Sequence, residues 1–298
     1  MGQAIVTLFI ISVLVFSLAR LSGDPINVLV SDEADEDRIQ QVRKLWGLDR
    51  PLYVQYFSFV KNGLTGNFGD SLAYKGYSAM GLVGERLPAT LQLAGLSLAI
   101  AIFIALPIGV LSAVKKDSPF DYASKIFGLL GQSLPQFWLG IIFIWVFGVM
   151  LGWLPTCCKG GFSHIILPAL ALGYYQVAAL MRLTRSSMLE VLDAEYVKMA
   201  HIKGLPRWKI LWKHCLRNAA IGPLTYLGII IGILFTGAVA IETVFAWPGL
   251  GLLAVQSVQS RDFTVIQTIA LVGAVLVIAV SLVIDIAYAY LDPRIRYT

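Results

Sequence analysis

Six stretches of 19 residues or more contain no Asp, Glu, Lys or Arg: residues 1–19, 87–114, 126–158, 160–181, 218–241 and 263–284. A helix needs about 20 apolar residues to cross the hydrocarbon of a bilayer, so each run is long enough or nearly so. A soluble domain carries about 25% charged residues. Here the charged share is 14% and the hydrophobic share 57%. Strands of a membrane barrel would instead alternate apolar and polar residues over segments of about 10, and no such alternation is visible. The expected fold is therefore an all-α membrane protein with six transmembrane helices, because hydrocarbon leaves the backbone no partner but itself.

The formal net charge of +5 would suit nucleic acid, but its placement gives another reading. Segments 115–125, 182–217 and 285–298 hold 13 Lys and Arg, while residue 159 and segment 242–262 on the opposite side hold only Lys159 and Arg261. Basic residues collect on the cytoplasmic side of a membrane protein. This makes both termini cytoplasmic in a multi-pass chain and accounts for the charge without nucleic acid. The first run opens at residue 1 with no basic segment before it and no small-residue cleavage site before Arg20, which reads as an uncleaved first span with a clipped or short N-terminus.

On this reading, residues 1–20 are the first span, 21–86 an extracytoplasmic segment, 87–291 a five-helix core with a loop at 183–220, and 292–298 a cytoplasmic tail. The external segment carries an acidic run at 32–37 and a helix through Leu45, with Gly47 and Pro51 in the turn after it. It is either a solvated cap or a docking surface. Pro88 opens the second span and Pro107 is expected to kink it. The run 126–158 is too long for one plain span. Gly131, Gln132, Ser133, Pro135 and Gln136 interrupt it at membrane depth, where polar groups need protein or a water-filled path beside them. Gln132, Ser133 and Gln136 are the candidates for a translocation path, and a kink satisfied by neighbouring helices is the competing reading. Gly228 and Gly232 have the spacing that lets membrane helices approach closely. Glu242 ends the fifth span, FAWPGLG at 245–251 with Arg261 and Asp262 reads as a re-entrant lid, and Asp285 closes the sixth span.

Between two apolar runs, residues 189–218 read LEVLDAEYVKMAHIKGLPRWKILWKHCLRN. Met188, Leu192, Met199 and Ile202 recur at helical spacing, while Asp193, Glu195, Lys198 and Lys203 stay wet, so a helix over 190–203 is expected. Gly204 accepts the left-handed conformation that ends a helix, and Pro206 is pre-set to begin the next. Trp208, Leu211, Trp212 and Cys215 then continue an apolar face among Arg207, Lys209, Lys213 and Arg217. Such a hairpin has one face for its own bundle and one for a partner. Leu192, Glu195, Tyr196, Met199, Ala200, Ile202 and Gly204 form the expected partner surface, with Ala200 against a groove.

A small residue followed four positions later by Gly, inside a helical hairpin before the penultimate span, resembles the EAA loop of ABC-importer permeases. Ala200 and Gly204 match its second Ala and its Gly, while Lys198, His214 and Arg217 replace its Glu, Ile and Pro. The chain is similar to the branch that imports dipeptides, oligopeptides and nickel. Besides TRSSMLEVL, EYVKMAHIKGL and LRNA, the resemblance covers GDP at 23–25, GLDRPLYVQY at 47–56, LPATLQL at 87–93, SLPQFW at 133–138, HIILPAL at 164–170, FAWPGLG at 245–251 and LDPRIR at 291–296. It implies a type I importer permease in the bacterial inner membrane, working with a second permease, two ATPase subunits and an extracytoplasmic solute-binding protein. ATP would be bound by the partners, and this chain would need no cofactor of its own.

The residues agree with a non-catalytic role. No Gly is followed by Lys, which removes the phosphate loop of an ATPase, and HExxH, GxSxG and CxxC are absent. An intramembrane enzyme would need paired acids, a nucleophile with a base, or metal ligands inside the spans. A passive channel or secondary transporter would leave the amphipathic hairpin without a purpose. His164 with Cys157 and Cys158 is the single cluster that could suit a soft metal, against a plain structural histidine. A disulfide between Cys157 and Cys158 on the external side is possible in principle, but adjacent cysteines rarely bridge, so no disulfide framework is implied.

Overall fold

The computed structural model describes residues 2–21, 26 and 35–291. The GDP motif, residues 32–34 of the acidic run and the tail 292–298 lie outside these residues, as does the Asp285 side chain. Among the described residues there are thirteen α-helices: α1 (Gly2–Leu21), α2 (Glu36–Leu45), α3 (Leu52–Leu64), α4 (Ala79–Val114), α5 (Pro119–Ser133), α6 (Gln136–Phe143), α7 (Phe162–Leu192), α8 (Glu195–Ile202), α9 (Arg207–Lys209), α10 (Leu216–Ala219), α11 (Ile221–Val244), α12 (Leu250–Gln259) and α13 (Phe263–Leu291). Two π-helical segments, Ile144–Met150 and Ile210–Cys215, continue α6 and α9. Extended pairing among the described residues is limited to one bridge between Asp70 and Ser78.

Four helices are long and apolar enough to cross a membrane, within α1, α4, α7 and α13. The pair Pro119–Ser133 and Gln136–Met150 passes together with a bend of 107°. The fifth apolar run is the 24-residue helix α11. Several boundaries differ from the sequence reading. The second span begins at Ala79 and runs unbroken to Val114, so Pro88 and Pro107 lie inside one helix and Glu85 and Arg86 belong to its first turns. The third starts at Pro119, whose missing N–H costs nothing at a helix's first position and whose cap is Ser118, accepting from Asp121 N–H at 3.3 Å. It breaks at Leu134, which is extended (φ −94°, ψ 131°) because Pro135 disfavours a helical residue before it. Within FAWPGLG the chain turns at 245–249 and enters the short apolar helix α12, whose first residues are Leu250 and Gly251.

Two compact units divide the chain, one made of residues up to Ala89 and from Pro248 onward, the other of Thr90–Trp247. In the first, α1 packs along α13 and touches α3. Phe16 of α1 meets Tyr56 edge to face and Phe59 at a tilt, and Phe59 meets Phe68 edge to face, with ring centroids 5.5–6.4 Å apart. Asp262 is fully buried here. One of its carboxylate oxygens caps α13 by accepting from Val265 N–H at 3.2 Å, and the other accepts from Ser71 Oγ and from Ala73 N–H. The turn preceding the membrane helix is thus tied to the loop before α4.

The second unit is built on α7, whose buried side runs from Leu167 to Met188 and meets α5, α6 and α11. Small residues permit the approach. A Cβ at Gly109 would lie 2.7 Å from Thr184 Cβ and 2.8 Å from the carbonyl of Met181, and one at Gly131 would lie 2.6 Å from Ala178 Cβ. Of the glycines in α11, Gly222 and Gly237 approach neighbours closely, whereas a Cβ at Gly232 would meet nothing within 4 Å. The contact at Gly109 involves backbone, which cannot swing away. Gly109→Leu should therefore destabilise the detergent-solubilised protein by about 1–3 kcal/mol through overpacking, read as a lowered thermal midpoint, while Gly95→Leu, at an exposed position of α4 where a Cβ would meet nothing within 4 Å, should leave that midpoint within error.

Candidate functional site

The hairpin 183–220 contains three structural decisions. α7 runs past the end of its apolar run to Leu192, and the chain then breaks at Asp193–Ala194, where Ala194 is extended. The first arm is therefore the separate eight-residue helix α8 rather than one helix over 190–203. It ends in a Schellman motif. Gly204, at φ +73°, donates its N–H to His201 O at 3.0 Å, and Leu205 N–H reaches Ala200 O at 3.3 Å. The four-residue spacing of Ala200 and Gly204 is the spacing of the two positions that close this motif.

Burial sorts the expected partner residues into two sets. Val197 and Ala200 are buried at 1% and 8% exposure, packed with Val110 and Ala113 of α4, Met188 of α7 and Ile210, Cys215 and Ala219 of the second arm. Leu192 packs against the same cluster. Glu195, Tyr196, Met199, Ile202 and Gly204 are exposed, with Ile202 at 79%. Ala200, expected in a partner's groove, faces its own bundle instead. The break at Asp193–Ala194 rotates α8 relative to α7, so the apolar stripe counted through 188–202 does not lie on one face. Tyr196 Oη accepts from Asn218 Nδ2 at 2.9 Å and joins the two arms, and Lys198 pairs with Glu195 at 2.8 Å in solvent.

Beside the hairpin lies a buried ionic knot that the sequence reading missed. Asp121, 0% exposed, accepts both tines of the Arg185 guanidinium, Nε at 2.6 Å and Nη2 at 2.8 Å. The same two oxygens also meet Ser112 Oγ at 2.5 Å, Asp117 N–H at 3.0 Å and Lys125 Nζ at 2.9 Å. One carboxylate thus ties the end of α4 and the start of α5 to α7, next to the hairpin's own packing against α4 and α7. The cues were one acid and one arginine just beyond apolar runs, but nothing in one dimension pairs positions so far apart.

Comparison with known proteins assigns this arrangement. Residues 105–297 match the model of the binding-protein-dependent transport system inner membrane component, and residues 1–94 match its N-terminal companion. The chain belongs to this family. It is 38% identical to the oligopeptide transport system permease protein AppB of Bacillus subtilis (strain 168), over 96% of this chain and 94% of that protein. It is 40% identical to the glutathione transport system permease protein GsiC of Escherichia coli (strain K12), over 98% of this chain and 95% of that one. Among solved structures, inward-facing MetNI methionine ABC transporter superposes with a TM-score of 0.60 at 19% identity, covering 71% of this chain and 96% of the other. At that identity the likeness is one of fold.

In this permease the solute-path candidates sit at the α5–α6 bend. Gln132 and Gln136 are half-buried, and Ser133 is exposed with its hydroxyl returned to Leu129 O at 2.8 Å. Gln136 Oε1 lies where a side chain on Gly237 of α11 would be, 2.4 Å from its Cβ position. The three are brought to one corner, but no hydrogen bond joins them to each other among those described. Cys157 and Cys158 form a disulfide, the pairing that adjacency in sequence makes rare. The turn that permits it has Cys158 at φ +70°, with its N–H donating to Phe245 O at 2.8 Å. Among the described residues no three metal-ligating side chains converge, His164 included.

Two measurements check this geometry. Asp121→Asn leaves Arg185 facing a neutral amide and should destabilise the solubilised protein by about 3–5 kcal/mol, the cost of breaking a buried pair from one side. Lys125→Ala, at a half-buried partner whose removal leaves the Arg185 fork in place, should cost less, about 1 kcal/mol, and similar losses in both variants would contradict the knot. Burial pushes the Cys215 thiol above its ordinary pKa, which lowers its thiolate fraction at neutral pH. Cys215 should accordingly react with maleimide at least about tenfold more slowly than a cysteine introduced by Met199→Cys.

Proposed function

We propose that this chain is one of two permease subunits of an ATP-driven importer, carrying peptide-like solutes inward by alternating access. The observation that carries the reading is the hairpin: its inner face is locked onto the ends of α4 and α7, while Tyr196, Met199 and Ile202 stand outward on the adjoining face of α8. An ATPase subunit that covers those three side chains would move α4 and α7 as it closes, and a bundle converts such a pull into rigid-body rocking. ATP is bound and hydrolysed by the partners, this chain carries no cofactor of its own, and an extracytoplasmic binding protein delivers the solute. Both termini are cytoplasmic on this reading, which the clustering of basic residues at 115–125 and 182–217 supports.

The solute class rests on the relatives, whose names specify oligopeptide and glutathione. A peptide solute suits a path lined by amide and hydroxyl groups, which pair with peptide bonds without adding charge at membrane depth, and Gln132, Ser133 and Gln136 supply such groups. Nickel, as a chelate, is the second solute of this branch, and uptake measured on the assembled system with labelled peptide and labelled nickel separates the two.

The coupling role is tested on the assembled transporter. Ile202→Glu should strip the ATPase subunits during detergent purification while the permease remains inserted. Lys198→Ala should retain them, because an exposed ion pair contributes about 0–1 kcal/mol. Gly204→Val should lower transport and solute-stimulated ATP hydrolysis together, since a branched side chain in the left-handed region is strained by about 1–2 kcal/mol. Full retention of ATPase by Ile202→Glu would move the docking surface elsewhere.

A further inference from the structure

The hairpin's second arm presents a surface that the first arm's partner does not explain. Residues 207–219 hold Arg207, Lys209, Lys213 and Arg217 and no acid, and all four cations are exposed. Trp208 and Trp212 are also exposed, at 64% and 49%. The two tryptophans are four residues apart, and Lys209, Lys213 and Arg217 repeat at the same interval. An aromatic stripe and a cationic stripe therefore run side by side along the arm. Ile210, Cys215 and Ala219 are the buried side of the same arm.

What those buried residues touch fixes where the arm lies. They pack on Val110 and Ala113 in the last turns of the apolar helix α4, which ends at Val114 and is followed at once by Lys115 and Lys116. At its other end the arm passes through Ala220 into the apolar helix α11. Both neighbours put it at the depth where hydrocarbon gives way to headgroups. Trp is the side chain that favours this layer, with an apolar ring and one N–H to place in the polar zone. Exposed Lys and Arg are attracted there by anionic lipid, and the absence of any acid leaves that attraction unopposed.

We propose that residues 207–219 form an interfacial element that binds anionic phospholipid, with Trp208 and Trp212 seated at the headgroup boundary and Lys209, Lys213 and Arg217 against lipid phosphates. The assignment rests on the membrane placement of the arm and not on which protein covers α8. It makes the hairpin two-sided, with one arm for a protein partner and the other gripping the bilayer against which the hairpin moves.

The experiment uses the assembled transporter reconstituted in phosphatidylcholine vesicles, with a fluorophore on Trp212→Cys or Met199→Cys in a Cys215→Ala background. Nitroxide-bearing phosphatidylglycerol or nitroxide-bearing phosphatidylcholine is then added at equal content. Each cation at an anionic surface is worth about fivefold in local lipid binding, so quenching at position 212 should be several-fold stronger with the phosphatidylglycerol probe. The combined Lys209→Gln, Lys213→Gln and Arg217→Gln variant, altered only at exposed positions, should bring the two probes to equality, and the label at 199 should be insensitive to both. Equal quenching by the two probes in the unaltered cationic background overturns the proposal. So does a label at 212 that no lipid probe reaches and that only the ATPase subunits shield, which would give this face to protein.

Discussion

A carboxylate sealed from water needs every lone pair satisfied, and Asp121 meets that demand by gathering three helices. Desolvating one charge costs several kcal/mol even after relaxation, and only near-ideal geometry with added hydrogen bonds returns it. The fork of Arg185, the hydroxyl of Ser112, the amide of Asp117 and the ammonium of Lys125 together provide that geometry. The ends of α4, α5 and α7 have few other ways to be arranged once this carboxylate is buried. The hairpin uses the framework so defined: its apolar cluster adds Val110, Ala113 and Met188 from the same helices. On the outward side of α8, Met199 and Ile202 stay exposed, and Tyr196 is held by its bond to Asn218.

Features set by neighbours in sequence were legible in advance. The apolar runs, the break at Leu134–Pro135 and the left-handed Gly204 each follow from a local rule about hydropathy, proline or glycine. Features set by contacts far along the chain were not. Asp121 and Arg185 belong to different helices, and a charge beyond an apolar run reads as solvated until its partner is located. The direction of Ala200 was misjudged because a periodicity counted from Met188 to Ile202 assumes one unbroken helix. The break at Asp193–Ala194 changes the phase between the two halves, and no proline or glycine announces it. The span expected from Leu87 sits in a helix that starts earlier, at Ala79, with Glu85 exposed and Arg86 half-buried in the extension, since a charged pair that bounds an apolar run need not end a helix. The Cys157–Cys158 disulfide escaped because a rule about rarity says nothing of a turn that brings adjacent sulfurs together.

The 31 residues of α7 form one continuous helix, about 46 Å long at 1.5 Å per residue. Its inner end is clamped twice, by Arg185 in the ionic knot and by Met188 in the hairpin cluster. Further along, Ala178 fits against Gly131 and Leu172 lies beside Gly237, at the corner where the polar bend residues collect. The helix thus connects the hairpin end to that corner without a break, although Pro168 lies inside it. A tilt of about 5° displaces the far end by about 4 Å over that length, close to the width of one peptide unit. A partner that pulled on the hairpin would therefore need only a small stroke to shift the corner where the polar bend residues lie.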